Sequence, residues 1–374
     1  MKRLIIIVNE DRFFLSHRKE IALSAKAEGW DVSVVCKDTG QRQDVEALGF
    51  QMTDLPINPT GVNLMEELKT FCFLRNLYRK NRDAIVHHVG LKCILWGGLA
   101  AKLSRVRGMV NAVSGLGAIF SDGKIGAMAK GVMAVMRLSN SRRNVKVVFQ
   151  NREDMALFLK HGVVKENQAT LIKGSGVDLQ EFNYTPEPED GPIKVVFSAR
   201  MIKEKGVMEL LDAAEILRPE FGDRAQFLLC GRLASNADAV PREVLESRCD
   251  GRYLVWMGLQ SDMKSILGNS HIFAFPSYYR EGVPKSLIEA CAVGRPIVTT
   301  DSIGCRDVVF DGENGYLVPV CDSRALADKL RVLLEDKALR ERMGRAGRAK
   351  AEKEFGLEGV IQKHLEIYRS LNLA

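Results

Sequence analysis

The stretch HIFAFPSYYREGVPKSLIEACAVGRPIVTTD, residues 271–301, carries the pattern that decides the fold. HIFAFPS is a short apolar run of strand composition. PKSLIEACAVG opens on a proline, which a helix tolerates at its start, and closes on a glycine, which helices favour just past their end. PIVTTD is again apolar and β-branched, and reads as a second strand. Strand, helix and strand in succession make a βαβ unit. Repeated units of this kind build a parallel sheet with helices on both faces.

The alternation extends outward from this stretch. Upstream, IKVVFSAR (193–200), AQFLLCG (225–231) and YLVWMG (253–258) read as strands, with helices over VMELLDAAEIL and MKSILGN. Downstream, RALADKLRVLLED (324–336) and ALRERMGRAGRAKAEKEF (338–355) have the period of amphipathic helices. NYTPEPEDGP (183–192) has three prolines, a glycine and no hydrophobic period, so it reads as a linker. Before it the same alternation recurs. LIIIVN (4–9), DVSVVCK (31–37), AIVHHV (84–89), MVNAVS and VKVVFQN (145–151) are strands, with helices over 15–29, 65–81 and 94–106. The expected fold class is therefore α/β, with two Rossmann-like doubly wound parallel-sheet domains, residues 1–182 and 193–356. Such sheets bind ligands beyond the carboxyl ends of their strands. Two of them facing across a cleft would place the site in that cleft.

Composition narrows the function classes. The chain has 374 residues, 46% of them hydrophobic and 27% charged, which is ordinary for globular domains. No run approaches the roughly 20 apolar residues of a membrane-spanning helix. LIIIVN is followed at once by Glu10-Asp11-Arg12 and reads as a first strand rather than a signal segment, so a cytoplasmic location is expected. The eight cysteines are scattered, without C-x-x-C or His/Cys metal spacing, and read mostly as buried thiols. Net charge is +7 and uneven: residues 1–182 hold 27 Lys+Arg against 18 Asp+Glu, leaving 27 against 29 in the remainder. A basic first half suits a polyanionic partner: nucleic acid, an anionic membrane or a phosphorylated substrate. No helix-turn-helix, aromatic stacking platform or zinc spacing supports nucleic acid.

The candidate site residues begin within the opening stretch. A helix starting at Pro284 presents the amides of Lys285, Ser286 and Leu287 to an anion. Glu281 lies before that helix, and Glu289 leans back toward the same end. Carboxylates there make sense as acceptors from the hydroxyls of a sugar or a ribose. Taken alone, the two also read as a solvated loop acid and a helix-surface residue. In SARMIKEKG (198–206), Arg200 and Lys205 follow a strand and precede a helix, an arrangement suited to a diphosphate. In KGSGVD (173–178), Gly174, Ser175 and Gly176 permit a tight turn, with Asp178 as a cap or the whole as a hinge. His87 and His88 end a strand and His17 lies in the first helix. All three are candidates to meet a reacting hydroxyl or sugar, although neighbouring strand residues face opposite sides. VSGLGAIFSDG (113–123), with Ser114, Gly115, Gly117 and Gly123, reads as an acceptor loop. The segment 124–146 reads as a basic helix ending in Arg142-Arg143. It suits anionic lipid, or equally the core with a solvated basic face. The helix over 65–82, with its arginines and lysines, has the same two readings.

Together EGVPKSLIE, Arg200 with Lys205, GSGVD, AVSGLG and DGENGYLV resemble the retaining GT-B-fold glycosyltransferases of family four, over nearly the whole chain. FFLSHR, the strand ending in His87-His88 and VNAVSGLGAIF are similar to the subgroup that builds bacterial surface polysaccharides and glycans. The resemblance implies retaining, metal-independent transfer from a nucleotide diphosphate sugar, commonly UDP-linked, with no cofactor. The acceptor it implies is a polyprenyl-diphosphate-linked saccharide at the inner face of the cytoplasmic membrane. Arg200 and Lys205 would hold the diphosphate, and Gly282, Val283, Pro284, Lys285, Ser286 and Leu287 would meet the phosphate. Glu281 would bind donor sugar hydroxyls as a catalytic residue, and Glu289 the ribose. His87 or His88 would be the catalytic-region histidine. His17, Ser114, Gly115, Gly117, Gly174 and Ser175 would lie on the acceptor side. The C-terminal helix, 357–374, would cross back onto the first domain. NEDRFFLSHR lacks the Gly-Gly pair of many relatives, so the resemblance does not extend to a phosphate contact from the first domain. A sugar-nucleotide epimerase on the same scaffold and a non-catalytic nucleotide-sugar-binding subunit are the alternatives.

Overall fold

The structure is a computed structural model that describes residues 2–58, 61, 63–117, 120, 126–234 and 238–373. The chain divides into two compact units, Met1–Ser175 with Glu358–Ala374, and Gly176–Leu357.

The first unit runs β1 (Lys2–Glu10), α1 (Asp11–His17), α2 (Lys19–Ala27), β2 (Trp30–Lys37), α3 (Arg42–Ala47), β3 (Gln51–Asp54), α4 (Leu64–Lys80), β4 (Ala84–Val89), α5 (Leu91–Ser104), β5 (Gly108–Val113), α6 (Ala127–Asn140), β6 (Val145–Phe149), α7 (Arg152–Lys160) and β7 (Ala169–Leu171). Its strands form one parallel sheet in the order β3-β2-β1-β4-β5-β6-β7. Strands covered on both faces read as unbroken apolar runs, and Leu4 to Val8 and Ala84 to Val89 are buried throughout. One core cluster holds Leu74, Tyr78, Ile94, Met133 and Phe158, from the helices α4 to α7. Another holds Phe14, Ile21, Ala25 and Val45, from α1 to α3.

The second unit runs β8 (Ile193–Ser198), a 3-10 turn (Lys203–Lys205), α8 (Val207–Phe221), β9 (Ala225–Cys230), α9 (Arg242–Arg248), β10 (Leu254–Gly258), α10 (Met263–Gly268), β11 (Ile272–Phe275), α11 (Lys285–Val293), β12 (Ile297–Thr300), β13 (Gly315–Val318), α12 (Ser323–Glu335) and α13 (Lys337–Glu354). The sheet order is β10-β9-β8-β11-β12-β13, all parallel. The last helix, α14 (Leu357–Leu373), returns to the first unit. There it buries Leu365, Tyr368 and Leu371, and Arg369 pairs with Glu28.

Two boundaries differ from the sequence reading. The division falls at Ser175/Gly176, inside the GSG turn, where Gly174 and Gly176 have φ of 68° and 80°. The segment 183–192 is not a free linker but part of the second unit. The amide of Thr185 donates to the Val293 carbonyl at 3.2 Å, and Glu187 takes a two-pronged ion pair from Arg340 at 2.9 and 2.8 Å. The expected helix 15–29 is two helices, broken at Arg18, whose side chain is buried and whose backbone leaves helical geometry at φ −132°. All eight cysteines are free thiols. Five are buried, Cys249 is half-buried, and Cys72 and Cys321 are exposed.

Candidate active site

In the second sheet β8 and β11 are neighbours, and the chain leaves them toward opposite edges. Doubly wound sheets open a crevice at this switch point, beyond the carboxyl ends of the two strands. Arg200 and Lys205 follow β8, and the residues from Ser277 to Glu289 follow β11.

The two connections are clamped together through backbone. The carbonyl of Glu204 accepts the amides of Tyr278 and Tyr279 at 2.9 and 3.0 Å, and the Ser277 hydroxyl at 3.2 Å. Gly206, at φ 78°, closes the 3-10 turn against the carbonyl of Pro276, where a Cβ would stand 2.1 Å from the oxygen. From the other side the hydroxyls of Thr300 and Ser302 donate to the Ser277 carbonyl, the latter at 3.0 Å. Thr299 donates to the Phe275 carbonyl at 2.6 Å. The TT pair ending β12 therefore holds the end of β11 in place.

This clamp sets Lys205 against Glu281. The ammonium forms an ion pair with Glu281 Oε1 and lies over the rings of Phe275 and Tyr279, 5.4 and 5.1 Å from their centroids. The two charged side chains are only 13% and 12% exposed. The same carboxylate oxygen accepts the Ser277 hydroxyl at 3.1 Å. Arg200 is exposed, within electrostatic reach of Glu204 and Tyr279. Burial pushes the Glu204 carboxyl up, with Asp238 adding to the shift.

Pro284 caps α11 rather than forming its first helical residue, so Lys285, Ser286 and Leu287 make the first turn, whose amides lack intrahelical acceptors. Glu289 follows one turn later. Its carboxylate is 3.5 Å from the Lys285 ammonium, and burial pushes its protonation upward against that cation. Gly282 and Val283 are buried beneath the loop. Arg200, Lys205, Glu281, Gly282 to Leu287 and Glu289 thus converge on one edge of one sheet, with a cation beside each of the two glutamates.

The histidine expectation is corrected. β4 is an interior strand with helices on both faces, so neither His87 nor His88 reaches a surface; both are fully buried. His87 Nδ1 is 2.7 Å from the Tyr368 hydroxyl, and its ring stacks on His364. On the opposite face, His88 bonds the Tyr78 hydroxyl and Asn111 Oδ1, each at 2.8 Å. Burial depresses both, His88 to about 4, and keeps the imidazoles neutral. Gly97 of α5 makes room for the His88 ring, since a Cβ there would meet it at 2.4 Å. These are packed core histidines.

The remaining first-unit candidates are dispersed. His17 ends α1, stacked on Phe13 at 4.3 Å and 2.6 Å from the Ser16 hydroxyl. Ser114, Gly115 and Gly117 follow β5 and are half-buried; Gly123 lies outside the described residues. Gly174 and Ser175 are buried after β7. Arg142 does not extend a basic helix. It lies beyond α6 and donates to the carbonyls of Ala101 and Val106 at 3.3 and 3.0 Å, at the end of α5. α6 buries Ala129, Met133 and Met136 in the core.

Sequence reasoning missed Ser277, Glu204 and Tyr279. Glu204 acts through its carbonyl, which side-chain chemistry does not announce. Ser277 and the Tyr278-Tyr279 pair, directly after the strand run FAFP, were the available signal.

Residues 180–350 match the model for glycosyl transferases group 1, and residues 3–151 match glycosyl transferase 4-like. The chain is a glycosyltransferase by both domains, one of group 1 and one 4-like. It is 26% identical, over 95% of its length and 97% of the relative's, to the N,N'-diacetylbacillosaminyl-diphospho-undecaprenol alpha-1,3-N-acetylgalactosaminyltransferase of Campylobacter jejuni. It is 23% identical to the UDP-Gal:alpha-D-GlcNAc-diphosphoundecaprenol alpha-1,3-galactosyltransferase of Escherichia coli, over 91% of this chain and 89% of that one. Anabaena Alr3699/HepE, solved in complex with UDP, superposes with a TM-score of 0.78 over 99% of this chain and all of its own, at 17% identity. The fold is GT-B. Among the described residues no helix is long and apolar enough to cross a membrane.

Proposed function

We propose that this chain transfers a sugar, with retention at the anomeric carbon, from a UDP-linked donor to a polyprenyl-diphosphate-linked saccharide in bacterial glycan assembly. The observation that carries the reading is the switch-point cluster: Arg200, Lys205 and the first turn of α11 beside Glu281 and Glu289. Arg200 and Lys205 hold the diphosphate and neutralise the charge that develops as the nucleotide leaves, so no metal is required. The backbone N–H groups of Gly282, Val283, Lys285, Ser286 and Leu287 meet the phosphate, with Pro284 shaping the turn between them. Glu281 accepts hydroxyls of the donor sugar, and Glu289 accepts those of the ribose. His17, Ser114, Gly115, Gly117, Gly174 and Ser175 are the residues assigned to acceptor contact. The names of the two enzymes above, both acting on diphospho-undecaprenol sugars, support this acceptor class.

The work is done at the inner face of the cytoplasmic membrane. Two observations support an anionic bilayer as partner: the excess of basic residues in the first half, and Leu64, Met65 and Leu68, which stand 77%, 65% and 52% exposed at the start of α4.

The test is a donor screen. UDP-, GDP- and ADP-sugars are mixed with the chain and GlcNAc-diphosphoundecaprenol or its diacetylbacillosamine counterpart, and nucleotide release and product mass are recorded. Acceptor-dependent release from a UDP-sugar, with a product of retained anomeric configuration, is expected. Isomerisation of the free UDP-sugar without acceptor, or binding without turnover on any acceptor, would overturn the reading.

A further inference from the structure

Ser277 is fully buried and belongs to none of the groups assigned above. Its hydroxyl has one proton and faces two acceptors, the Glu204 carbonyl at 3.2 Å and Glu281 Oε1 at 3.1 Å. A hydroxyl donates only one hydrogen bond, so these acceptors compete for it. They differ in what else they hold. The Glu204 carbonyl already accepts the amides of Tyr278 and Tyr279, whereas Glu281 Oε1 also carries the ion pair with Lys205.

The donor disturbs only one of the two. Lys205 is paired with the sugar-binding carboxylate, and a diphosphate competes for it directly. As the ammonium turns toward phosphate, Glu281 loses part of its compensation in a site where its side chain is only 12% exposed. The Glu204 carbonyl keeps its two amides and can release the serine. Ser277 itself does not move, because its carbonyl is held by Thr300 and Ser302 and its amide donates to the Phe275 carbonyl at 2.8 Å.

We infer that Ser277 is a positioning residue of the donor site: its proton passes from sharing with the Glu204 carbonyl to full donation to Glu281 when the diphosphate draws Lys205 away. The hydroxyl then fixes the carboxylate that receives the sugar. The inference rests on the donor-site reading above. It makes the Lys205–Glu281 pair the resting arrangement of the site and the Ser277–Glu281 bond the working one.

A double-mutant cycle tests it, using Ser277→Ala, Glu281→Gln and the pair, with a UDP-sugar that the wild-type chain turns over and with UDP alone. Removing the hydroxyl leaves no buried donor stranded, and the Glu204 carbonyl stays bonded, so Ser277→Ala keeps the wild-type melting temperature. A hydrogen bond to a charged group corresponds to about a ten- to hundredfold loss of kcat/KM for the UDP-sugar, and because the bond strengthens as the diphosphate binds, affinity for UDP falls in the same direction. In the Glu281→Gln background the same substitution costs less than about twofold. An equal loss in both backgrounds, or a Ser277→Ala chain as active as wild type, overturns the inference and leaves the donor site standing. A wild-type chain that binds no nucleotide sugar overturns the donor-site reading and the inference with it, so the two failures are told apart.

Discussion

Replacing Gly206 by alanine tests whether the backbone clamp governs both stability and chemistry. Gly206 has φ 78°, and an added Cβ would lie 2.1 Å from the Pro276 oxygen and 2.5 Å from its carbonyl carbon, inside the 3.0 Å that real Cβ atoms keep. Both atoms are backbone at the end of β11, so no flexible side chain can give way. The left-handed conformation costs an alanine about 1–2 kcal/mol, and relieving the overlap costs about 1–3 kcal/mol more. The second unit should therefore lose about 2–5 kcal/mol, lowering its melting midpoint by roughly 5–15 °C. The relief separates the turn bearing Lys205 from the loop bearing Glu281 by about 1 Å, a displacement that costs on the order of a hundredfold in turnover. Calorimetry and nucleotide-release kinetics on one preparation measure both. A Gly206→Ala chain that melts with wild type and turns over at the wild-type rate would refute the clamp.

Further outcomes follow from other parts of the molecule. The Arg340–Glu187 pair is 5% exposed on each side. Arg340→Ala should cost about 3–5 kcal/mol by stranding a buried carboxylate, while Arg340→Leu with Glu187→Leu should recover much of it, as read by denaturant unfolding. His87, His88 and His364 are neutral through burial, with His88 and His364 at about 4 and His87 well below its ordinary value. Unfolded histidines protonate near 6.5, so the unfolded chain takes up protons first as pH falls. The first unit should keep its full stability above about pH 6.5 and lose it progressively toward about pH 4. Melting scans across that range check this, and a pH-independent midpoint would contradict it. Changing Leu64, Met65 and Leu68 together to serine should weaken binding to phosphatidylglycerol vesicles by at least about tenfold without lowering the melting temperature. Co-sedimentation reads that loss.

What the sequence showed and what it hid have separate physical causes. β4 was legible to the residue, because AIVHHV is a buried run bounded by polar residues and a glycine. β3, QMTD, and α3, RQDVEA, were not, because short polar elements owe their structure to ladder pairing and packing rather than to their own pattern. The break between α1 and α2 has neither glycine nor proline to announce it; it occurs where Arg18 is buried. The strand–helix–strand frame around Glu281 and Glu289 followed from Pro284 and Gly294 at the ends of α11. The histidine assignment failed because alternation shows that His87 and His88 face apart but not that both faces are covered. The Ser277–Glu204 bond was hidden because it joins a side chain to a backbone carbonyl 73 positions away in the chain.

The most direct test of the central claim is a crystal structure of the chain with UDP bound. The account predicts the diphosphate at the carboxyl ends of β8 and β11, with Arg200 and Lys205 on its oxygens, the first-turn amides of α11 against phosphate and the ribose on Glu289. Lys205 should then have left Glu281. A nucleotide bound elsewhere, or a diphosphate bound with the Lys205–Glu281 pair unchanged, would contradict it.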